Sequence, residues 1–307
     1  MRFASCIVDA AHDGMPAYDV LRSQIGASDG SVRRAKHVEG GMLLDGVPAW
    51  ARDTVREGQK LELAIAGPGL PGSHTELPAE HGPVSVVYAD EDVVVLDKPA
   101  GLVMYPGPGH AEGTLANRLA GWLERQGMQA GVQAVHRLDA GTSGLVLFAL
   151  HSFAKERLSA QLHTEDFARA YLAVCMGCPQ PATGGIEVPL GKLSSHPNVY
   201  GVVADGKPAH TDYQVLASGP GAGGAPLSLV ALQLQTGRTH QIRIHMAHIG
   251  HPLVGDDAYG RPSPLIARPA LHSARLSFTH PVTRERLTFE SALPQDMRAL
   301  GACGSLW

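Results

Sequence analysis

The stretch from Gly67 to Pro83, GPGLPGSHTELPAEHGP, limits what this chain can fold into more than any other segment. Its prolines lack an N–H and its glycines carry no side chain to bury, so neither a helix nor a central strand is expected to run through it. Apolar periodicity exists on both sides. The segment therefore reads as a linker (67–83) between a short leading unit (1–66) and a long following one (84–307), and 307 residues suit two unequal domains.

In the leading unit the pattern predicts a strand over Phe3–Val8, helices over Ala17–Ile25 and Ser31–Glu39, and strands over Met42–Leu44 and Lys60–Ile65 around an Asp45-Gly46 turn. That is a small αβ module. In the following unit short alternating strands predominate: Val84–Tyr88, Val93–Asp97, Gly144–Leu150, Ala170–Met176, Thr211–Ala217, Leu227–Leu234, Ala274–Phe278 and Arg286–Glu290. Their spacing favours a largely antiparallel sheet. Helices are expected at Leu115–Gln126 behind an N-cap at Thr114, at Phe153–Leu162 behind Ser152, and at His240–His248. The class is α+β.

Composition excludes several functions. With 44% hydrophobic and 18% charged residues the chain is globular. Four cysteines (Cys6, Cys175, Cys178, Cys303) are too few for a disulfide framework and suit a reducing compartment, which makes the cytoplasm the expected location. Asp9 interrupts the early apolar stretch before a signal-peptide core forms, and no run of about 18 apolar residues offers a membrane span. The formal charge of −4 argues against a polyanionic partner in general. Locally the balance reverses: no acid occurs from Leu227 to Val254, while Arg238, Arg243, His240, His245, His248 and His251 crowd that window.

Two constellations have the residue types for chemistry. Val135 to Gly144 is a loop ahead of an apolar strand, and it presents Asp139 beside a cation and two hydroxyls, a setting for a nucleophile or general base; an isolated Asp of this kind also serves as an ordinary turn. Thr236 to His245 carries Arg238 at a strand-to-helix turn, where a guanidinium can clamp a carboxylate bidentately. A metal site built from the four histidines is disfavoured because HEXXH-type spacing and a nearby carboxylate ligand are missing. Cys175 and Cys178 form a lone CXXC, and Gly141 to Gly144 lacks the spacing of a serine-hydrolase elbow.

These residues carry a resemblance to the RluA-type pseudouridine synthases. His136 to Gly144 matches the family's H-R-L-D-x-x-T-S-G, Thr236 to His245 its T-G-R-x-H-Q-I-R-x-H, and Gly250 to Gly260 its G-H-P-x-x-G-D-x-x-Y-G. Val94 to Val103, Arg169 to Ala173 and Leu271 to Pro281 agree in order, so the likeness covers about residues 84–295. Departures are Asp97 for Asn, Arg169 for Lys, Tyr105 for His and Asp45 for Asn. The leading unit resembles, more loosely, the S4-like RNA-binding domain that many of these enzymes carry.

The resemblance implies the mixed, largely antiparallel sheet of a pseudouridine synthase catalytic domain and the isomerisation of uridine to pseudouridine in structured RNA, ribosomal ahead of transfer RNA, with no cofactor and no metal. Asp139 is implied as the essential acid, attacking C1′ or the base or abstracting the ribose 2′ proton; Arg238 as its ion-pair partner; and Tyr171 as the aromatic that stacks on the flipped base or removes the C5 proton. Arg137 is implied to fill the gap left by the flipped nucleotide, with His136 supporting its loop at the RNA. Lys98, Arg243 and Lys207 are candidate phosphate contacts, as are Arg33, Arg34 and Lys36 on the leading unit. RNA is the expected partner, no membrane is involved, and a monomer is expected.

Overall fold

The computed structural model describes residues 1–193 and 196–301, the side chains of residues 196–198 excepted; Cys303 lies outside the described residues. Residues 1–66 form a four-stranded antiparallel sheet of β1 (Arg2–Ile7), β2 (Met42–Leu44), β3 (Val47–Pro48) and β4 (Lys60–Ala66), ordered β1-β4-β2-β3. Asp45 (φ 50°) and Gly46 (φ 79°) make the expected tight turn, since both need the left-handed conformation that suits the twist of a hairpin. Helix α1 (Ala17–Val20), continuing through Leu21–Ile25, and α2 (Asp29–Ala35) bury Val20, Leu21, Ile25 and Val32 against Leu61 and Leu63. Helix α2 is shifted from its expected span because Ser28 caps it, its Oγ accepting from the Ser31 N–H, and because the chain must turn at Gly40-Gly41 to enter β2.

A ten-stranded sheet fills the rest. Its strands are β5 (Ser85–Ala89), β6 (Val93–Lys98), β7 (Gln133–Ala134), β8 (Ser143–Ala149), β9 (Phe167–Met176), β10 (Thr183–Glu187), β13 (His210–Pro220), β14 (Pro226–Leu234), β15 (Leu271–Thr279) and β16 (Arg286–Glu290). Separately, β11 (Leu190–Leu193) pairs antiparallel with β12 (His196–Val202). The path runs β10-β13-β14-β9-β15-β8-β6-β5, with β16 on β15 and β7 on β8. Among the described residues every strand pairing is antiparallel except β8 with β15, which run parallel across two residue pairs, Ser143 with His272 and Gly144 with Ser273. Strands β3, β7, β10, β11 and β12 lie outside the spans the sequence predicts because they are short or, like Thr183-Gly-Gly-Ile-Glu, lack alternation.

Four helices flank the sheet: α3 (Leu115–Arg125), α4 (Ser152–Gln161), α5 (Gln241–His248) and α6 (Gln295–Arg298). Thr114 caps α3 as expected, in a reciprocal capping box with Asn117, and Leu115, Leu119 and Leu123 are buried, each stabilising the fold by about 1.5–3 kcal/mol. The cap of α4 is His151 rather than Ser152. Asp92 holds the His151 Nε2 at 2.9 Å, which turns Nδ1 to accept from the Ala154 N–H. Phe153 of α4 is buried in the core of residues 1–66. Around it Arg34 pairs with Glu156 at 2.5 Å, Arg2 clamps the buried Asp92 at 2.6 and 2.5 Å, and Arg284 donates to the Ile25 carbonyl at 2.8 Å. Among the described residues no helix is long and apolar enough to cross a membrane.

Candidate active site

The site lies where β15 is inserted between β8 and β9. Register fixes one row across four strands: Gly144 on β8 pairs with Ser273 on β15, Ser273 with Tyr171 on β9, and Tyr171 with Leu232 on β14. Gly144 has φ 107°, and a Cβ there would come within 2.2 Å of the Ser273 carbonyl oxygen. Only glycine lets the two strands meet so closely. The loop bearing Asp139 enters this row directly from above.

That loop is held by its backbone. Thr142 N–H donates to the Asp139 carbonyl at 3.0 Å, and Gly101 N–H to the Ala140 carbonyl at 2.8 Å. Lys98 is 1% exposed, and its ammonium donates to the carbonyls of Ala140 (3.0 Å), Leu102 (2.8 Å) and Pro99 (3.0 Å). Arg268, itself clamped by Asp296, donates to the Gly141 carbonyl at 3.2 Å. Burial pulls the Lys98 pKa down to about 8, with Asp139 acting to raise it. Lys98 is thus a buried brace, not the phosphate contact expected of it.

Asp139 Oδ2 lies 3.8 Å from Arg243 Nη1 and 3.8 Å from His240 Nε2. Arg243 is aimed by Asp256, which is fully buried and accepts from Nε at 2.7 Å and Nη2 at 2.6 Å, and by the Tyr259 ring 5.0 Å from the guanidinium carbon. Burial works against the Arg243 charge, but Asp256 and then Asp139 raise its pKa. The partner expected at Arg238 is therefore Arg243. Arg238 Nε donates to the Pro208 carbonyl at 3.1 Å, because the turn before α5 points it across toward β13. Gln241 fixes that turn, accepting from the Arg238 N–H and Thr236 hydroxyl and donating to the His210 carbonyl and Thr211 hydroxyl.

His240 takes a left-handed conformation (φ 55°), unusual outside glycine, asparagine and aspartate, and bonds the Tyr259 hydroxyl at 2.8 Å. Burial lowers its pKa against the pull of Asp139, so it is neutral at pH 7 and Arg243 is the charged neighbour. The sequence assigned Asp256 and Tyr259 no role and offered His240 only as a disfavoured metal ligand. Their only signal was membership of the stretches Thr236–His245 and Gly250–Gly260, and spacing along a chain does not show a contact.

One small cavity is lined by Asp139, Tyr171, Arg137, Arg238, His240 and Arg243. A second, of about 590 Å³, adjoins it over Arg137, Asp139 and His240, walled by Met104 to Pro108, His110 and Thr239. Tyr171 is 4% exposed, and burial raises its phenol pKa while Arg169 opposes the rise. Arg137 is exposed at the shared mouth, and Lys207 is exposed beside Pro208.

Two further expectations are corrected. His136 is 7% exposed, with Nε2 accepting from the Leu147 N–H at 3.3 Å and its ring edge-on to Phe167; burial drives its pKa well down, so it supports the loop from inside and does not face RNA. Arg34 is occupied by Glu156, whereas Arg33 and Lys36 on the same helix face solvent. His245 is buried against the Val188 carbonyl and His251 bonds the Met176 carbonyl. Cys175 is buried and Cys178 exposed.

Residues 92–248 match the family described as RNA pseudouridylate synthase. The chain is 40% identical over 221 residues to the RNA pseudouridine synthase YhcT of Bacillus subtilis, covering 72% of each. It is 36% identical over 266 residues to the ribosomal large subunit pseudouridine synthase D of Nitrosomonas europaea, covering 84% of this chain and 75% of that one. Among solved structures it is similar to human RNA pseudouridylate synthase domain containing 1, with TM-score 0.57 and 28% identity over 70% of this chain and 85% of that one.

Proposed function

The chain belongs to the RNA pseudouridylate synthase family, and from that membership we propose that Asp139 is the essential acid of its uridine isomerisation and that ribosomal rather than transfer RNA is its substrate. The reaction breaks the uridine N1–C1′ bond, turns the detached base and rejoins it through C5. One observation carries the assignment of Asp139: its carboxylate shares a cavity with Tyr171 and lies 3.8 Å from a guanidinium that a fully buried acid holds in place. Such a cation attracts the carboxylate and aims it.

A uridine inside folded RNA reaches this cavity only by leaving its stack, at a cost of a few kcal/mol. Arg137, exposed at the mouth, takes the vacated place, and its planar guanidinium suits stacking there. The raised pKa of Tyr171 keeps its phenol protonated at neutral pH, a state that suits stacking on the extruded uracil. We read residues 1–66 as an S4-like RNA-binding module that meets phosphates through Arg33 and Lys36, and residues 67–83 as its linker. The relatives named for the ribosomal large subunit favour ribosomal RNA.

Two experiments test this reading. Pseudouridine mapping in a strain lacking the gene should lose at least one ribosomal RNA site; loss confined to transfer RNA would overturn the substrate. Asp139→Asn, nearly isosteric, should abolish turnover with thermal unfolding and RNA binding retained, and wild-type turnover in that variant would sink the role of Asp139.

A further inference from the structure

Among the described residues three Lys or Arg side chains are buried: Lys98, Arg169 and Arg243. Two are fully engaged, Lys98 by three carbonyls and Arg243 by Asp256. Arg169, 7% exposed, stands apart: among the described residues no acid lies within 4.0 Å of it and none of its nitrogens has a hydrogen-bond partner. None of its nitrogens is sealed from water, so the aliphatic stem is what is buried and the unpaired guanidinium stays open to an anion. The Phe167 ring, 5.7 Å from the guanidinium carbon, covers one face but satisfies no N–H.

The position of this charge indicates what would complete it. Arg169 shares a face of β9 with Tyr171, two residues and about 7 Å along the strand. Its guanidinium lies against Gly237, where a Cβ would sit 3.4 Å from Nη1 and 3.6 Å from Nη2, so the absence of a side chain there leaves the charge uncovered. The next residue, Arg238, lines the cavity of Asp139 and Tyr171. An anion bound here would lie beside the Gly237-Arg238 turn, whose Arg238 walls the cavity of Asp139 and Tyr171. RNA offers one class of anion, and a guanidinium fork matches phosphodiester oxygens.

We propose that Arg169 binds the backbone phosphate of the target nucleotide, seating the phosphodiester beside the Gly237-Arg238 turn as the base enters the cavity; this rests on the reading of the site given above. It adds an anchor to the exposed Arg137. The charge of Arg169 also reaches Tyr171, where it opposes the rise in phenol pKa, so a phosphate on Arg169 would weaken that opposition.

The test uses the full-length protein with unmodified ribosomal and transfer RNA transcripts labelled with tritium at uridine C5, following tritium release over a range of salt concentrations. Arg169→Met should raise KM at least tenfold with a smaller effect on kcat, and flatten the slope of log(kcat/KM) against log[salt] by about one. Arg169→Lys should restore the slope and most of the affinity. An unchanged KM and slope in Arg169→Met, or a loss confined to kcat with the slope intact, would overturn the assignment. Arg169→Gln carries the same measurement if the Met variant does not fold, and failure of both to fold overturns it by making the charge a requirement of the fold. Absence of turnover by the wild type on either RNA would overturn the reading of the whole site, whereas wild-type turnover with unaltered variants overturns this assignment alone.

Discussion

A lysine ammonium that gives all three protons to backbone carbonyls has none left for a phosphate. The sequence shows Lys98 as a cation at a strand end, but not that its side chain turns inward beneath the Asp139 loop. Since the Lys98 pKa falls to about 8 in the folded protein and stays near 10.5 in the unfolded chain, the unfolded state holds the extra proton between those values. Stability therefore rises with pH across that window, by roughly 3 kcal/mol in all. Relative to Lys98→Met, the wild type should gain thermal stability from pH 8 to 10.5 while its kcat falls above pH 8, as the Ala140 loop loses a donor; parallel unfolding and kcat profiles check this. The partner of Asp139 was misread for a related reason. Arg238 and Arg243 are five residues apart, and which one faces Asp139 depends on the left-handed turn at His240, which no periodicity announces. Asp139, Tyr171, Arg137 and Arg238, distant in the sequence, line one cavity. Asp256→Asn should lower kcat by about a hundredfold by loosening Arg243, with the fold retained in circular dichroism.

At the scale of elements, alternation made β5, β9 and β16 legible, and continuous apolar runs made β6 and β8 so, both being buried on both faces. Pattern failed for β10 to β12, where glycines and brevity remove the signal, and at α4, whose cap depends on Asp92 turning the ring of His151. The close approach of β8 to β15 was equally hidden: Gly144 appears in the sequence as one more loop glycine, and only the register shows the Ser273 carbonyl against it. Gly144→Ala should destabilise the protein by about 3 kcal/mol or more, combining a clash with a strained φ, and urea unfolding would measure it. Thr114→Ala, which removes only the α3 cap, should cost about 1 kcal/mol in the same assay.

Across the whole molecule, the net charge of −4 conceals how the charges are distributed. Acids are drawn into pairs, such as Asp92 with Arg2 and Asp256 with Arg243, while Arg137, Arg169 and Arg238 around the site have no acidic partner among the described residues. Asp90 belongs to the cluster that joins residues 1–66 to the rest. Burial opposes its charge, but hydrogen bonds from His280, Tyr88 and the Asp92 and Val93 N–H groups outweigh it and hold the pKa at about 2. That contribution, about 2 kcal/mol, is present above pH 4 and is lost as pH falls toward 2. Asp90→Asn should accordingly be less stable than the wild type at pH 7, with the difference closing in acid, as thermal unfolding at several pH values would show. The insertion of β15 between β8 and β9 has a consequence for synthesis. Ser273 of β15 bonds the carbonyl of Leu145, 128 residues earlier. At ribosomal speed that interval lasts on the order of 6 to 25 seconds, during which residues 143–145 of β8 are without their partner and open to mispairing, while β7 and Val135, made before it, already cover residues 147–149. A nascent chain that stops before Leu271 already holds Asp139, Tyr171 and Arg243, and it lacks the strand whose register ties the Gly144 end of the Asp139 loop to Tyr171.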